Sequence, residues 1–593
     1  MLPLSLDGFF AKSLCKFFAP GLQVSCAAVT VSAMRTGSVD GRLSAEATMA
    51  RKGAAVTDSV SMDFALTTAR IVDRAELYHA DVEVVSRRPD GTLHRTVYGD
   101  VVRRARALAS ALQRMGIRPG DRVATLCWNH REHLECYLGV PLCGAVLHTL
   151  NVRLHPSDLA YVVNHAEDRL LVVDDVLLPL FEAFRGQVQL DGVFVVPTAG
   201  AKVPAPYESY EALVASGSPE FRPLELPEAS PALMCYTSGT TGRPKGVRYA
   251  HRALVLAALA CLVADSFSLS CTDTVLVTVP MFHVAGWVLP FAAPLAGARL
   301  VLPGPHPDPE TLAELLSAER VTFSAGVPTV WLDVVDRLQR EPQRRPLAPS
   351  LRVALGGSAP PEALLRSMMR LGIRPVHGWG MTEVLIGIQS HLRPWMEEWP
   401  EDRRCAELAR QGLPVPLLEV RVVGEAGEVP PDGRTPGELQ VRGPWVAGGY
   451  HRAESRESWT EDGWFRTGDV AVLEPGRVVR IVDRTKDLIK SGGEWISSVE
   501  LENALLSHPK VQEAAVVAVP HPRWMERPLA VVVPKPGESP TAEELRSFLA
   551  ERFVRWWVPD AFVFVSEIPK TGTGKLAKAV LRERYRGWRW PEG

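Results

Sequence analysis

Little in this chain is in excess. Its 593 residues carry 66 Lys and Arg against 68 Asp and Glu. That balance leaves no basic stripe for a nucleic-acid backbone and no acidic tail. The nine cysteines are scattered, with no Cys-x-x-Cys spacing and no His-rich partner pattern. This argues against a disulfide framework or a zinc site and points to reduced, mostly buried thiols in a cytoplasmic protein. The longest apolar run, Ala253 to Ala264, is too short to span a bilayer. It follows His251 and Arg252, ends at Asp265, and reads as a buried helix. Leu22 to Met34 is broken by Ser and Thr and lacks a convincing cleavage site, so a signal peptide is not expected. Repeats and low-complexity tracts are absent. Residues 1–61 hold Ser, Ala and Gly in weak periodicity with internal Met34 and Met49. They are expected to be a disordered extension or an artefact of start-codon choice.

The rest of the chain has the length for more than one domain. Val101, Ala105, Leu108, Leu112 and Met115 share one helical face that Gly116 and Pro119 terminate, and Val123 to Leu126 reads as a buried strand. Leu351 to Leu355 predicts a strand that runs into Gly356-Gly357-Ser358. Pro361 is expected at the first position of the next helix, with Leu364, Met368 and Leu371 inside. Strand, glycine turn and helix in succession predict parallel α/β layers with ligands at the strand C-termini. Pro, Gly and short Val-rich runs over Glu428 to Gly449 suggest small antiparallel strands. Beyond Asp483 a compact α+β tail is expected. It holds a capping-box candidate at Ser497 to Glu500, a strand over Ala514 to Val519 and a helix over Leu545 to Phe553.

The most informative segment is Tyr236-Thr237-Ser238-Gly239-Thr240-Thr241-Gly242-Arg243-Pro244-Lys245-Gly246-Val247. Glycines let backbone N–H groups approach an anion, hydroxyls add donors, and one hydroxyl can ligate a phosphate-bound Mg²⁺. Such a loop cradles a polyphosphate, although it does not fit the Walker A spacing. Four clusters accompany it. Gly378-Trp379-Gly380-Met381-Thr382-Glu383 joins an aromatic plane, a hydroxyl and a carboxylate. Thr467-Gly468-Asp469 offers a carboxylate suited to ribose hydroxyls. Asp483 to Asp487 and Lys490-Ser491-Gly492-Gly493-Glu494 combine charge with glycine freedom. Pro569 to Lys575 carries a lysine near the C-terminus. Singly, each is an ordinary turn or a solvated charge. Jointly, in this order and spacing, they are not.

From Met62 to about Arg582 these clusters resemble the adenylate-forming superfamily of acyl-CoA synthetases, firefly-luciferase-like enzymes and peptide-synthetase adenylation domains. The likeness is closest to bacterial long-chain fatty-acid CoA ligases. It rests on Pro280-Met281-Phe282-His283-Val284-Ala285-Gly286-Trp287, on Ala325-Gly326-Val327-Pro328-Thr329-Val330-Trp331, and on Lys490-Ser491-Gly492-Gly493-Glu494-Trp495-Ile496-Ser497-Ser498. The resemblance implies an α/β protein. A large AMP-binding domain over 62–482, with layered α/β subdomains and a β-barrel-like subdomain, would carry a small mobile α+β cap over 483–593.

The resemblance further implies that ATP and a carboxylate form an acyl-adenylate, and that the thiol of CoA then displaces AMP. Thr237, Ser238, Gly239, Thr240, Thr241, Gly242 and Lys245 would grip the β- and γ-phosphates, with Thr237 and Glu383 holding Mg²⁺. Thr382 would bond the α-phosphate and Lys575 would bridge it to the acid. Adenine would lie between the Gly356-Gly357-Ser358 turn and Trp379, with His377 near its edge, and Gly357 and Gly378 would count among the nucleotide-binding residues. Asp469, helped by Arg484, would hold the ribose, and Lys486, Lys490 and Trp495 would line the same region. Trp379 stands where Tyr is commoner, and His377 where Asn or Gln is usual. Asp483 would be the hinge, and Ser491, Gly492, Gly493 and Glu494 the loop that admits CoA. His283 would orient the carboxylate and Trp287 would gate an acyl tunnel along Val288 to Leu295.

Peptide-synthetase domains place an Asp near the position of Phe282 to hold an ammonium. The neighbours here are His283 and Val284, so an amino acid is not expected, and the resemblance implies a fatty acid of medium to long chain. Aromatic, branched or terpenoid acids, transfer to a carrier-protein thiol, and a silent nucleotide-binding module are the alternatives. The resemblance also implies a homodimer, with peripheral membrane contact allowed by an apolar substrate.

Overall fold

Val- and Leu-rich strands alternate with amphipathic helices through the first two-thirds of the chain and assemble into two large sheets. The structure is a computed structural model. It describes residues 61–593 apart from 201, 238–242, 306, 342–345, 454–455, 493, 572–574 and 591–593. The expectations for residues 1–60, for Ser238 to Gly242 and for Gly493 therefore lie outside the described residues.

The first sheet has seven strands in the order Glu208–Ser209, Gly192–Val196, Asp168–Asp174, Arg122–Leu126, Val146–Thr149, Pro231–Tyr236 and Gly246–Ala250. All its pairings are parallel except the last. The second has nine strands. At its centre Arg299–Leu302, Thr274–Leu276, Phe323–Gly326, Arg352–Leu355 and Arg374–Trp379 run parallel, and Ile388–Ser390 and Leu413–Pro414 add antiparallel at one edge. Consecutive strands buried on both faces need helical crossovers, which explains the near-continuous apolar runs in the sequence.

Two smaller sheets follow. Glu419–Gly424, Gly427–Glu428, Gly437–Arg442, Phe465–Glu474 and Val478–Arg484 form an antiparallel sheet in the region where a barrel-like subdomain is expected. Ile489–Ser491, Glu494–Ile496, Val511–His521, Met525–Pro534 and Ala561–Phe564 form the last, against helices Ser498–Leu506 and Ala542–Ala550. The α/β fold class is as expected. No helix among the described residues is long and apolar enough to cross a membrane.

Local expectations hold with informative offsets. The run after the glycine loop is the helix His251–Leu262, largely buried, but the strand Gly246–Ala250 comes between them. Pro361 is not the first helical residue; it caps the helix Glu362–Arg370 from an extended conformation at ψ 141°. Ser497 does cap its helix, its Oγ accepting from the Glu500 N–H at 3.2 Å. The Glu500 carboxylate instead lies 3.6 Å from Arg480.

One of the side chains that join the two large sheets is Asn129. Asn129, buried just beyond the strand Arg122–Leu126, donates through Nδ2 to the Val277 and Val279 carbonyls, both at 2.8 Å. Its Oδ1 accepts from the Met281 N–H at 2.8 Å. This holds the chain leading into His283. Removing three such bonds leaves buried backbone groups unpaired, so Asn129→Ala is expected to lose about 2–4 kcal/mol of stability. Urea unfolding checks this.

Next to it, His130 lies between the Asp174 and Glu132 carboxylates at 2.7 and 3.1 Å. Burial acts to lower its pKa, but the two carboxylates hold it up at about 9. Its Nδ1 also lies 3.2 Å from the His133 N–H, a contact that caps the following helix. Cys127, His130 and Asp174 lie compactly enough for a metal, and among the described residues His130 is paired there with carboxylates.

Candidate active site

The phosphate-type loop joins the antiparallel strands Pro231–Tyr236 and Gly246–Ala250, paired in register from Tyr236 to Gly246. Its two described ends are closed on each other. The Thr237 N–H donates to the Lys245 carbonyl at 2.9 Å, and the Lys245 N–H donates to Thr237 Oγ1 at 3.0 Å. Lys245 Nζ stands 4.7 Å from the centre of the Tyr450 ring, and the Tyr450 hydroxyl donates to Glu383 Oε1 at 2.6 Å.

Glu383 is buried. Desolvation raises its pKa, against the Tyr450 hydrogen bond and the positive Arg484 and Lys245. Thr382 is buried beside it, its carbonyl accepting from the hydroxyl of buried Tyr249. A carboxylate and a hydroxyl are hard oxygen donors of the kind Mg²⁺ takes alongside waters and substrate phosphates. The donor set of Thr237 and Glu383 therefore fits a magnesium-bound nucleotide.

Next comes a cluster of side chains at the C-terminal ends of the central strands of the nine-stranded sheet, where α/β sheets bind ligands. Arg352–Leu355 leads into Gly356-Gly357, and Gly357 has φ +87°, where a side chain would be strained. A Cβ there would also stand 3.1 Å from both Lys575 Cε and Val327 Cγ1. Trp379, at the end of the neighbouring strand, donates its indole N–H to Asp469 Oδ2 at 2.8 Å. Arg484 Nε lies 3.2 Å from Asp469 Oδ1, across the antiparallel pair that sets Asp469 opposite Arg484. The indole thus replaces the lost phenolic hydroxyl with a different bond, one that fixes the carboxylate. Lys486 follows as an exposed residue, its pKa lowered by desolvation and by Arg484.

His377 is buried one strand-step away. Its Nδ1 lies 3.1 Å from the Leu408 carbonyl at the end of helix Glu401–Ala409, so one ring nitrogen serves the fold. Burial lowers its pKa to about 4, leaving it neutral at physiological pH.

Lys575 enters this cluster from the far end of the sequence. Burial, then Arg484, depress its pKa to about 8, and Asp469 and Glu383 act in the opposite sense. His283 adjoins it. Burial, then the charges of Lys575 and Arg153, push its pKa to about 3, so it is a neutral imidazole. Trp287 closes this side: its Cη2 stands 2.8 Å from where a Cβ on Gly356 would lie. The indole arrives there on a left-handed turn, with φ +39° at Val284, +57° at Gly286, +49° at Trp287 and +67° at Val288. Left-handed β-branched residues cost on the order of 1–2 kcal/mol each, so packing must hold this turn. The helix that follows, Leu289–Ala296, is buried along its whole length.

Some expected residues stand apart. Lys490 Nζ sits 4.7 Å from the centre of the Trp495 ring on the hairpin Ile489–Ser491 and Glu494–Ile496, and Trp495 is 47% exposed. These two pair with each other and not with Trp379 or Asp469. Ser491 is buried, its Oγ accepting from Arg527 at 3.1 Å and its carbonyl from the Trp556 indole at 3.3 Å, while Glu494 is exposed. Asp483 is buried and bonded to Arg484 and Ser498 N–H groups at 2.7 Å each. Sequence reading missed Tyr450, Arg153 and Tyr249. Their local pattern carries no signal, because each acts through a partner far along the chain.

Comparison with known proteins gives the family. Residues 72–451 match the AMP-binding enzyme family, and 500–575 match the AMP-binding enzyme C-terminal domain. A long-chain-fatty-acid–CoA ligase from Thermus thermophilus is 50% identical over 535 residues, covering 89% of this chain and 97% of that protein. A 3-methylmercaptopropionyl-CoA ligase from Ruegeria lacuscaerulensis is 41% identical over 534 residues, covering 88% of this chain and 97% of its own. The crystal structure of an anthranilate CoA ligase with anthranoyl-AMP superposes with a TM-score of 0.78 at 25% identity, covering 88% of this chain and 98% of that one. With its carboxylates, lysine and glycine turn gathered at the strand ends and both family profiles matched in order, the chain belongs to the AMP-binding enzymes.

Proposed function

We propose that this protein is an ATP-dependent, AMP-forming acyl-CoA ligase acting on a fatty acid of medium to long chain. The placement of Lys575 against the Gly357 turn, within the fields of Arg484, Asp469 and Glu383, carries the proposal. In the first step an oxygen of the acid attacks the α-phosphorus of ATP, the bond to the β-phosphate breaks, and pyrophosphate leaves. Two anions must meet, so the site must supply positive charge and hold the reactants in line.

Lys575 as ammonium bridges the acid and the α-phosphate. Thr382 bonds the α-phosphate, Lys245 takes the terminal phosphates, and Trp379 and Asp469 hold adenosine. Bound at Thr237 and Glu383, Mg²⁺ supplies charge neutralisation to the phosphates. His283, kept neutral, orients the acid by hydrogen bonding without adding charge. In the second step the CoA thiol attacks the acyl carbon, AMP departs, and the thiol proton leaves to solvent. Lys575 obstructs that approach. Residues 483–593 therefore act as a cap that rotates about Asp483 against 62–482 and turns Ser491 to Glu494 toward the acyl group. The reading includes a cytoplasmic homodimer.

A fatty substrate is supported by the apolar Val288 to Leu295 beyond Trp287 and by the absence of an acidic neighbour in the His283 segment. A shorter acid is favoured by one observation, the closure of Trp287 on Gly356. ATP–pyrophosphate exchange over straight-chain acids of graded length separates the two. Each buried methylene is worth about 0.8 kcal/mol, so a tunnel gives a steep rise in kcat/KM with length, close to fourfold per carbon. Trp287→Ala is expected to move the optimum by at least about two methylenes on that scale, with the ATP KM little changed. An unmoved chain profile rejects the gate.

A further inference from the structure

Three residues beyond Lys575, a second lysine is engaged in a different way. Lys578 opens the helix Lys578–Arg584, and its Nζ donates to Ser498 Oγ at 2.7 Å and lies 2.7 Å from Glu502 Oε1. The Lys578 side chain is 12% exposed and the Glu502 side chain 10%. Ser498 Oγ lies 2.5 Å from Asp483 Oδ2, which also accepts the Ser498 N–H at 2.7 Å. The direction of this chain is forced. An ammonium only donates and a carboxylate only accepts, so the hydroxyl between them accepts from Lys578 and donates to Asp483. Glu502 is held in turn by the Val516 N–H at 2.7 Å. One turn further along the same helix, Arg582 pairs with Asp487. Positions four apart share a helical face, so this helix is clamped at two points to the segment that runs from Asp483 through Glu502.

We propose that Lys578 is a positioning residue: through Ser498 it ties the turn bearing Lys575 to Asp483, and so holds Lys575 at the Gly357 turn for acyl-adenylate formation. The inference rests on the role given to Lys575 above. Charge-assisted bonds of this kind are the stronger class, and a partly severed buried network loses its geometry before its fold. The second half-reaction uses CoA and an existing adenylate and has no need of Lys575 at the Gly357 turn, so the loss falls on the first, while Asp483 keeps its bond to the Arg484 N–H as the hinge for the second.

The test measures the two half-reactions separately on full-length Lys578→Met, Ser498→Ala and Lys578→Arg. ATP–pyrophosphate exchange is run with the best straight-chain acid, and thioester formation with the preformed adenylate of that acid and CoA. Lys578→Met and Ser498→Ala are expected to slow exchange by roughly ten- to a hundredfold and to leave thioester formation within about twofold, the loss of one or two charge-assisted bonds. Lys578→Arg, which keeps the donor, is expected to recover most of the exchange rate. Ser498→Ala keeps the Lys578–Glu502 pair and so guards against loss of fold in Lys578→Met. Equal losses in both half-reactions, or no loss of exchange, overturn the proposal. Lys575→Ala run in parallel distinguishes the failures. If it alone suppresses exchange, the positioning inference fails and the role of Lys575 stands. If neither lysine matters to exchange, both fail.

Discussion

Lys575→Ala is expected to lower the rate of acyl-adenylate formation by about two orders of magnitude or more, the usual worth of a preorganised donor at a developing charge. Reaction of a supplied acyl-adenylate with CoA should continue at close to the parent rate. The asymmetry follows from position. The side chain lies against Gly357 within the fields of Asp469, Glu383 and Arg484, where the α-phosphate would sit, and no thiol chemistry calls on it there.

The same placement sets a pH dependence. Burial first, and then Arg484, bring the ammonium down to about 8. Only the protonated form neutralises phosphate charge. The kcat/KM for adenylation, which reports the free enzyme, should therefore fall as pH rises through about 8. The kcat should hold to higher pH, because bound nucleotide brings negative charge that favours the ammonium. Stopped-flow pyrophosphate release across pH 6.5–9.5 (about three units around that value) resolves both. Equal loss of the two half-reactions in Lys575→Ala, or a flat alkaline limb, contradicts this account.

Glu383→Gln should have the second large effect. The substitution is nearly isosteric and leaves an oxygen to accept from Tyr450, so the fold and melting temperature should be retained. The lost negative charge matters for the metal. A cation that neutralises phosphates is worth several kcal/mol at the transition state, which converts to a fall of about a hundred- to a thousandfold in adenylation. The Mg²⁺ concentration giving half-maximal exchange should rise as well. An unchanged Mg²⁺ requirement would remove Glu383 from the metal site and leave it as a partner for Tyr450 alone.

Much of this was legible along the chain because its causes are local. The helix through Val101 to Met115 and the strand at Leu351 follow from apolar spacing, which burial on one side of a helix or both faces of a parallel strand requires. The glycine turn after that strand announces a ligand because a positive φ and a bare backbone cannot be had otherwise. Where expectation slipped, the competing cause was also local. Pro361 sits one residue earlier than expected, as a cap, and Glu500 leaves its capping box because Arg480 offers an ion pair.

Other features had no local cause to read. The bond from Trp379 to Asp469 joins residues 90 apart, and that from Tyr450 to Glu383 joins residues 67 apart. The stitch at Asn129 spans about 150 residues. None leaves a spacing signature, because a hydrogen bond constrains geometry and not sequence distance. The pairing of Lys490 with Trp495 shows the reverse case: a motif segment can be recognised while its partners in a given arrangement of the chain remain unread.

By itself the sequence determined the fold class, the family and the chemical inventory of the site, since residue types, turn glycines and periodicity are properties of neighbours along the chain. Only the tertiary structure decided which of those groups meet. It brought half-buried Lys575 into the fields of Asp469 and Glu383, turned the Trp379 indole onto a carboxylate and strung Lys578 to Asp483 through a single hydroxyl. Those contacts, and the shifted protonation of Lys575 that comes with them, arise from packing in space, where desolvation and charge act over a few ångströms whatever the distance along the backbone.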